Sequence, residues 1–200
     1  MVGALRFLSW RRPPYTLRRW TRAEYERVVS LGIFNDQPLE LIGGHLIVAE
    51  PKGTYHSTAL GKTADVLHAV LPEGWIVRWQ DPIALDDESE PEPDVAVVAG
   101  TRDDFRHAHP TQPALVIEIA ESSLLFDRNQ KGSVYARAGL PDYWIVNLID
   151  RVLEIHRDPV PDPSARYEWR YASVRTAAGS ETVTPLALPT VHIAVADLLP

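Results

Sequence analysis

Residues 114–120 read Ala-Leu-Val-Ile-Glu-Ile-Ala, a short run of branched apolar residues that is interrupted by one carboxylate, Glu118. The residue types favour a strand, and the continuous apolar character predicts an interior position in a β-sheet. Side chains alternate between the faces of a strand, so Glu118 shares a face with Val116 and Ala120. If both faces are covered, an ionised Glu118 costs several kcal/mol unless a cation or hydrogen-bond donors compensate. The fold must therefore bring a partner to this carboxylate.

The rest of the chain alternates predicted helices and strands. The capping box Thr21-Arg-Ala-Glu24 begins the first predicted helix, and Gly43-Gly44 supplies the turn of a predicted β-hairpin. About 37 residues follow the prolines near position 161, too few for a second core, which predicts one domain over 1–200. The predicted helices are 21–31, 57–71 and 129–138, and the predicted strands are 39–42, 45–48, 75–80, 94–99, 114–120, 143–148, 152–157 and 166–171.

The composition excludes several classes of protein. The chain has no cysteine, which excludes disulfides, thiolate metal sites, iron–sulfur clusters and a cysteine nucleophile. No apolar run approaches the roughly 20 residues of a membrane span. Residues 1–14 carry arginines and prolines where a signal peptide needs an apolar stretch. We therefore expect a cytoplasmic protein that does not associate with membranes, with residues 1–14 as a flexible arm.

Charge is distributed unevenly along the chain. The formal net charge is −7, and residues 86–94 contain six carboxylates, an acidic run that either binds cations or lies in water. Only three of the twenty basic residues are lysines, namely Lys52, Lys62 and Lys131. A lysine in a suggestive position, such as Lys131, therefore departs from the preference of this chain for arginine.

Three carboxylates interrupt three predicted strands. Besides Glu118, Asp94 begins an apolar strand directly after Pro93, and Glu40 lies within 39–42. Carboxylates from separate strands are the ligands that a hard divalent cation such as Mg²⁺ requires, and no zinc-type histidine spacing competes. The alternative is that each carboxylate lies at the surface or pairs with one of the many arginines.

Asp127, Lys131 and Tyr135 recur every four residues and therefore share one face of the third helix or its N-terminal extension. A lysine in this position could reach over a metal site on the strands, where its ammonium would stabilise developing charge or orient the attacking water. The alternative is a solvated Asp127–Lys131 ion pair, with Tyr135 in the core.

Together these motifs resemble the PD-(D/E)XK nuclease superfamily and, within it, the Uma2 family of restriction-endonuclease-like proteins. The resemblance runs from about Tyr15 to Leu199. It depends on an ordered set of motifs: Thr21-x-x-Glu-Tyr, Leu39-Glu-Leu-Ile-x-Gly, Pro51-x-Gly-x-x-His56, Pro93-Asp-Val-Ala-Val-Val, Val116-Ile-Glu-Ile with Ser122-Ser123, Asp127-x-x-x-Lys131-x-x-x-Tyr135, Ala138-Gly-x-Pro-x-Tyr-Trp-Ile-Val and a terminal Leu-Pro segment.

The resemblance implies a restriction-endonuclease-like α/β fold, with a mixed central β-sheet flanked by helices. It also implies a divalent metal, Mg²⁺ or Mn²⁺, on Asp94, Glu118 and the main-chain carbonyl near Ile119, with Glu40 as a further ligand. The simple superfamily motif has lysine where this chain has Ala120, whereas the Uma2 pattern carries its lysine on the next helix, at the position of Lys131.

His56 matches a frequent position of the family and could contact a phosphate or a metal-bound water. A histidine at the start of a helix is also commonly a cap or a packed side chain. The hairpin here has Gly43-Gly44-His45 where the family usually has acidic residues around the glycine. We therefore expect no accessory metal ligand at this turn.

The leading hypothesis from the sequence is a metal-dependent endonuclease that acts on DNA, with Asp94 and Glu118 as metal ligands and Lys131 as the catalytic lysine. Homodimers are common in the superfamily, and a dimer would double the stripe of basic residues formed by N-terminal arginines. Two alternatives stay open: a catalytically inactive nuclease-like module that binds nucleic acid or protein, and a glycosidase with two carboxylates and no metal.

Overall fold

The computed structural model describes residues 16–34, 37–48 and 52–200. Its strands are β1 (Leu39–Ile42), β2 (His45–Val48), β3 (Trp75–Arg78), β4 (Val95–Ala99), β5 (Leu115–Ala120), β6 (Asp142–Asn147), β7 (Val152–Pro161), β8 (Trp169–Ala178), β9 (Thr182–Val183) and β10 (Ile193–Ala194). The central sheet has six strands in the order β3-β4-β5-β6-β7-β8. Only β5 and β6 pair in parallel, so the sheet is mixed, which confirms the predicted fold class.

The described helices are α1 (Arg22–Ser30), α2 (Thr54–Val70), α3 and α4 (Val195–Leu198), together with a 3₁₀ turn at Arg102–Phe105. Helix α3 combines three consecutive segments, Leu124–Phe126, a π-helical turn at Asp127–Lys131, and Gly132–Arg137. No helix in the described part of the chain is both long and apolar enough to cross a membrane.

Both faces of the central sheet are covered. Residues of β4 and β5 such as Val97 and Ile117 pack with Leu67 of α2 on one face. On the other face, Val116 and Ala120 pack with Tyr135 of α3. Glu118 shares this face with Val116 and Ala120, so its side chain lies beneath α3 and is only 2% exposed. The predicted interior strand and its buried carboxylate are both confirmed.

Two helix boundaries differ from the prediction. Helix α2 begins at Thr54 rather than at 57, because its N-cap is Gly53, which has no side chain to form a recognisable cap. Helix α3 begins at Leu124 rather than at 129, because the π-helical turn interrupts the regular helical period on which the prediction depends. The predicted flexible arm at 1–14 lies outside the described residues, and the single domain stays a prediction.

The hairpin of β1 and β2 forms as predicted, with Gly43 and Gly44 both at positive φ. A side chain at Gly43 would be excluded sterically as well, because its Cβ would lie 2.1 Å from the ring of Tyr167. Next to Glu40 in β1, Leu41 forms an isolated β-bridge to Glu90 in the segment that precedes β4.

Three of the six carboxylates in the acidic run at 86–94 pair with arginines. Arg19 contacts Glu88 at 3.1 Å, and Arg137 contacts Asp86 at 2.8 Å. Arg18 and Arg22 also pair with carboxylates, those of Glu24 and Glu26, respectively. The described N-terminal arginines are therefore matched by negative charge, and the predicted basic stripe is largely neutralised. Arg11 and Arg12, which the same prediction included, lie outside the described residues.

Candidate active site

A cavity of about 350 Å³ opens where the start of β4, the end of β5, β1 and two helices meet. Its described walls carry six carboxyl groups but only two ammonium groups, which leaves an excess of negative charge in a largely buried space. The carboxyl groups belong to Glu40, Glu92, Asp94, Glu118, Glu121 and Asp127, and the ammonium groups belong to Lys52 and Lys131.

Asp94, at the start of β4, is 4% exposed and uses both carboxylate oxygens. Its Oδ1 accepts a hydrogen bond from Lys52 Nζ at 2.6 Å. Its Oδ2 accepts one from the Ile119 amide at 2.8 Å and lies 3.1 Å from His56 Nε2. Burial alone would raise the pKa of Asp94, but His56 and Lys52 outweigh burial and hold that pKa well below its usual range. Asp94 is therefore ionised.

Glu118, on β5, accepts hydrogen bonds from three donors. Its Oε1 lies 3.0 Å from Lys131 Nζ and 2.6 Å from the hydroxyl of Tyr135, and its Oε2 lies 3.3 Å from the Asp94 amide. Burial raises the pKa of Glu118, while the charge of Lys131 opposes that rise. Because all three partners are donors, these contacts select the ionised carboxylate.

Lys131 lies between two carboxylates from different sheets. Its Nζ is 3.0 Å from Glu118 Oε1 and 3.2 Å from Glu40 Oε2, and its side chain is 8% exposed. Burial would lower the pKa of Lys131, but Glu118, Glu40 and further carboxylates outweigh burial and raise that pKa well above its usual value. The amine is therefore a permanent cation at neutral pH. Of the two predicted alternatives for Lys131, the structure excludes the solvated ion pair.

The π-helical turn sets the positions of the remaining helix residues. Asp127 lies at the start of the turn, accepts a hydrogen bond from Ser123 Oγ at 2.6 Å, and has a pKa that burial raises to about 6. Lys131 ends the turn, and Tyr135 follows one helical turn later with its hydroxyl on Glu118. The predicted common face of Asp127, Lys131 and Tyr135 is thus present, with Tyr135 beneath the cavity rather than lining it.

The structure brings together all the residues that the sequence singled out. Glu40, His56, Asp94, Glu118, Ile119, Asp127 and Lys131 line the cavity, and Tyr135 supports Glu118 from below. Ala120 departs from the simple motif, and Lys131 supplies the missing ammonium from α3. Whether these residues act as catalytic groups or ligands stays a prediction.

Sequence reasoning missed three charged side chains of the cavity, which belong to Lys52, Glu92 and Glu121. Lys52 contacts Asp94 directly, and Glu92 lines the wall while its backbone amide donates to Glu40 Oε2 at 3.1 Å. The available signals were the rarity of lysine in this chain and the spacing Lys52-x-x-x-His56 within a recognised motif. Glu92 is half-buried and belongs to the acidic run, in which the sequence does not distinguish buried from exposed carboxylates.

The donor set has the chemistry of a site for a hard cation, because Asp94, Glu118 and Glu40 offer carboxylate oxygens in a cavity with excess negative charge. In the arrangement described for residues 16–34, 37–48 and 52–200, no group of three or more His, Asp or Glu side chains is placed to hold a metal ion. Two ammonium groups, on Lys52 and Lys131, neutralise these carboxylates instead. The residues therefore fit a divalent cation chemically, provided that an ammonium gives way.

The fold and this cavity define a mixed-sheet α/β protein whose carboxylates and lysines converge at the end of the central strands. A model of the Uma2 family, described as "Putative restriction endonuclease", matches residues 22–196, and the chain belongs to this family. A crystal structure described as a putative nuclease belonging to DUF820 from Anabaena variabilis ATCC 29413 is similar to this chain. The TM-score is 0.60 at 15% identity, over 82% of this chain and 90% of that chain, which shows the shared fold. No curated protein matches the chain significantly.

Proposed function

We propose that this protein is a divalent-metal-dependent endonuclease that hydrolyses phosphodiester bonds in DNA. The observation that carries the proposal is the placement of Lys131 between Glu118 and Glu40, in the cavity that also contains Asp94. Membership of a family described as "Putative restriction endonuclease" supports a nuclease rather than a glycosidase.

In this proposal, Asp94 and Glu118 hold Mg²⁺ or Mn²⁺, with the main-chain carbonyl of Ile119 and the carboxylate of Glu40 as further ligands. When bound, the cation supplies Lewis-acid activation of the attacking water and the scissile phosphate. The chain contributes oxygen ligands from separate strands of rigid sheets, which fix the ion relative to the substrate. His56 orients Asp94 through their 3.1 Å contact.

Lys131 acts as a donor rather than as a base. Its pKa lies well above the usual value, because the carboxylates of Glu118 and Glu40 outweigh the effect of burial. A permanent ammonium orients the attacking water and stabilises the negative charge that develops on the phosphate oxygens. Tyr135 holds Glu118 in place through a 2.6 Å hydrogen bond, and Asp127 adds negative charge beside the ammonium.

Nucleic acid as the partner conflicts with the net charge of −7, since affinity for DNA comes largely from neutralised phosphates. The cation in the cavity would offset part of this charge at the point where the backbone must approach. A homodimer would present two such sites to one duplex, and we propose this assembly together with a cytoplasmic location. Sedimentation of the purified protein tests the dimer.

A second candidate function is a nuclease-like module that binds nucleic acid or protein without cleaving it. The observation that favours this module is the lack of a three-ligand metal arrangement in the described part of the chain. The affinity for Mn²⁺ separates the two candidates, because a binding module does not need the cation at Asp94 and Glu118.

The test is cleavage of labelled duplex and single-stranded DNA by the purified protein with Mn²⁺. We expect cleavage by the wild type and loss of at least about 100-fold in rate for Glu118→Gln and Lys131→Met, the scale of removing one electrostatic contributor. Glu154→Gln is the matched control, because Glu154 is equally buried but pairs with Arg128 outside the cavity. Full activity in Glu118→Gln would refute the site, and a wild type that binds DNA but cuts none would favour the binding module.

A further inference from the structure

The carboxylate of Asp94 has its hydrogen-bonding positions largely filled. Its Oδ2 faces the Ile119 amide and His56, both of which belong to the rigid framework of β5 and α2. Its Oδ1 faces one flexible partner, the Lys52 ammonium at 2.6 Å. A cation that binds through Oδ1 must therefore displace the Lys52 ammonium.

Lys52 differs from Lys131 in how firmly it is held. The side chain of Lys52 is 35% exposed, whereas that of Lys131 is 8% exposed and contacts two carboxylates. Lys52 has a single carboxylate within ion-pair distance among the described residues, which is Asp94. A partly exposed ammonium on a long side chain can move into water while the surrounding framework stays in place, because its charged end already lies near solvent.

We propose that Lys52 is an intramolecular counterion of Asp94 that a divalent cation must displace, so that Lys52 sets the metal affinity of the cavity. This inference rests on the proposed metal site at Asp94 and Glu118. In the absence of the cation, Lys52 neutralises Asp94; when the cation arrives, the ammonium moves from Oδ1 into the mouth of the cavity. Lys52 is thus a positioning residue that acts through Asp94.

The experiment measures Mn²⁺ binding to the metal-free full-length protein without DNA, by titration calorimetry and by the electron paramagnetic resonance signal of free Mn²⁺. We expect Lys52→Met to bind Mn²⁺ roughly tenfold more tightly than the wild type, because the ion no longer has to displace a charge-assisted hydrogen bond of about that strength. Lys52→Arg keeps the competing charge and should retain the weaker affinity. If Lys52 had only a structural role, its replacement would not increase the affinity of the protein for Mn²⁺.

Lys62→Met is the matched control for the change in net charge. Lys62 lies on α2, about 12 Å along the helix axis from Thr54, and its amine donates to the Leu199 carbonyl rather than to a carboxylate. We expect the Mn²⁺ affinity of Lys62→Met to stay within about twofold of the wild type, since surface charges at this distance are screened.

The outcomes separate this inference from the proposed function. If the wild type binds Mn²⁺ and Lys52→Met binds it no more tightly, the counterion role is wrong while the metal site stands. Equal gains in Lys52→Met and Lys62→Met would likewise overturn the inference, because net charge alone would explain them. If no variant binds Mn²⁺, the proposed metal site falls and the inference falls with it.

Discussion

The buried triad of Glu40, Lys131 and Glu118 predicts a specific pattern of stability changes that does not depend on catalysis. Replacing Lys131 by Met removes the ammonium that neutralises Glu118, whose side chain is 3% exposed, and Glu40, whose side chain is 12% exposed. Breaking a buried ion pair by removing one partner costs about 3–5 kcal/mol, because the other charge stays buried without compensation.

We therefore expect Lys131→Met to lower the free energy of unfolding by about 3 kcal/mol. For a chain of this size, that loss corresponds to a decrease in Tm of about 10 °C. The decisive measurement is the double-mutant cycle. Glu118→Gln alone should destabilise the protein by about 2 kcal/mol, because it removes a charged acceptor from Lys131. In the Lys131→Met background the same substitution should be neutral or stabilising, because it removes the uncompensated charge.

Urea unfolding at pH 7.0, followed by circular dichroism, measures all four proteins of the cycle. Lys62→Met serves as a control for the loss of one lysine outside the cavity. A coupling of about 2 kcal/mol between Lys131 and Glu118 is expected for groups in direct contact. This coupling is refuted if Glu118→Gln destabilises both backgrounds to the same extent, because the two residues would then be energetically independent.

Three further predictions use other contacts. Burial opposes ionisation of Glu154, but His156 and Arg128 outweigh it and lower its pKa to about 2, so its contribution to stability is present above pH 4.5 and lost as pH falls toward 2. Urea unfolding should show that the wild type is more stable than Glu154→Gln by about 2 kcal/mol at pH 7 and by only about a quarter of that difference at pH 2.5; an unchanged difference would contradict this. Tyr135→Phe should cost about 1 kcal/mol of stability by removing the hydroxyl donor of Glu118, and a thermal melt that matches the wild type would contradict this. A chelator should abolish DNA cleavage, and added Mn²⁺ should restore it; DNA cleavage that survives the chelator would refute the proposed metal dependence.

Most strands and the first helix could be predicted from the sequence because their signals are local, whereas the last predicted strand, 166–171, is instead Trp169–Ala178, and β9 and β10 were not predicted. The capping box at Thr21 and the glycines of the hairpin determine backbone conformation within a few residues. The apolar residues around Glu118 likewise predict that the strand is buried, since a strand of that composition has no exposed face. These predictions agree with the structure in the elements that form the cavity.

The course of α3 was harder to predict. A π-helical turn has no local sequence signature, and it depends on the Gly132 amide donating to the carbonyl of Asp127 five residues earlier. A Cβ at Gly132 would lie 3.2 Å from that carbonyl oxygen, so the close packing of the turn is visible only in three dimensions. The prediction found the correct face of the helix but placed its start five residues too late.

The ion pairs of Arg19 and of the two cavity lysines depended on tertiary contacts. The N-terminal arginines were predicted as a basic stripe, but Arg19 meets Glu88 from a segment 69 residues away along the chain. Lys52 meets Asp94 across 42 residues in the same way. The composition gives the number of charged residues, whereas the fold determines which of them form ion pairs.

The sequence by itself determined that this chain has a buried carboxylate on an interior strand, further carboxylates on two other strands, and a rare lysine on a helix. Those features follow from residue type and periodicity, which act over a few residues. Only the tertiary structure decided that Lys131 bridges Glu118 and Glu40 and that Lys52 neutralises Asp94. Such contacts join distant segments, and the balance between burial and ion pairing that sets their charge exists only once those segments have packed.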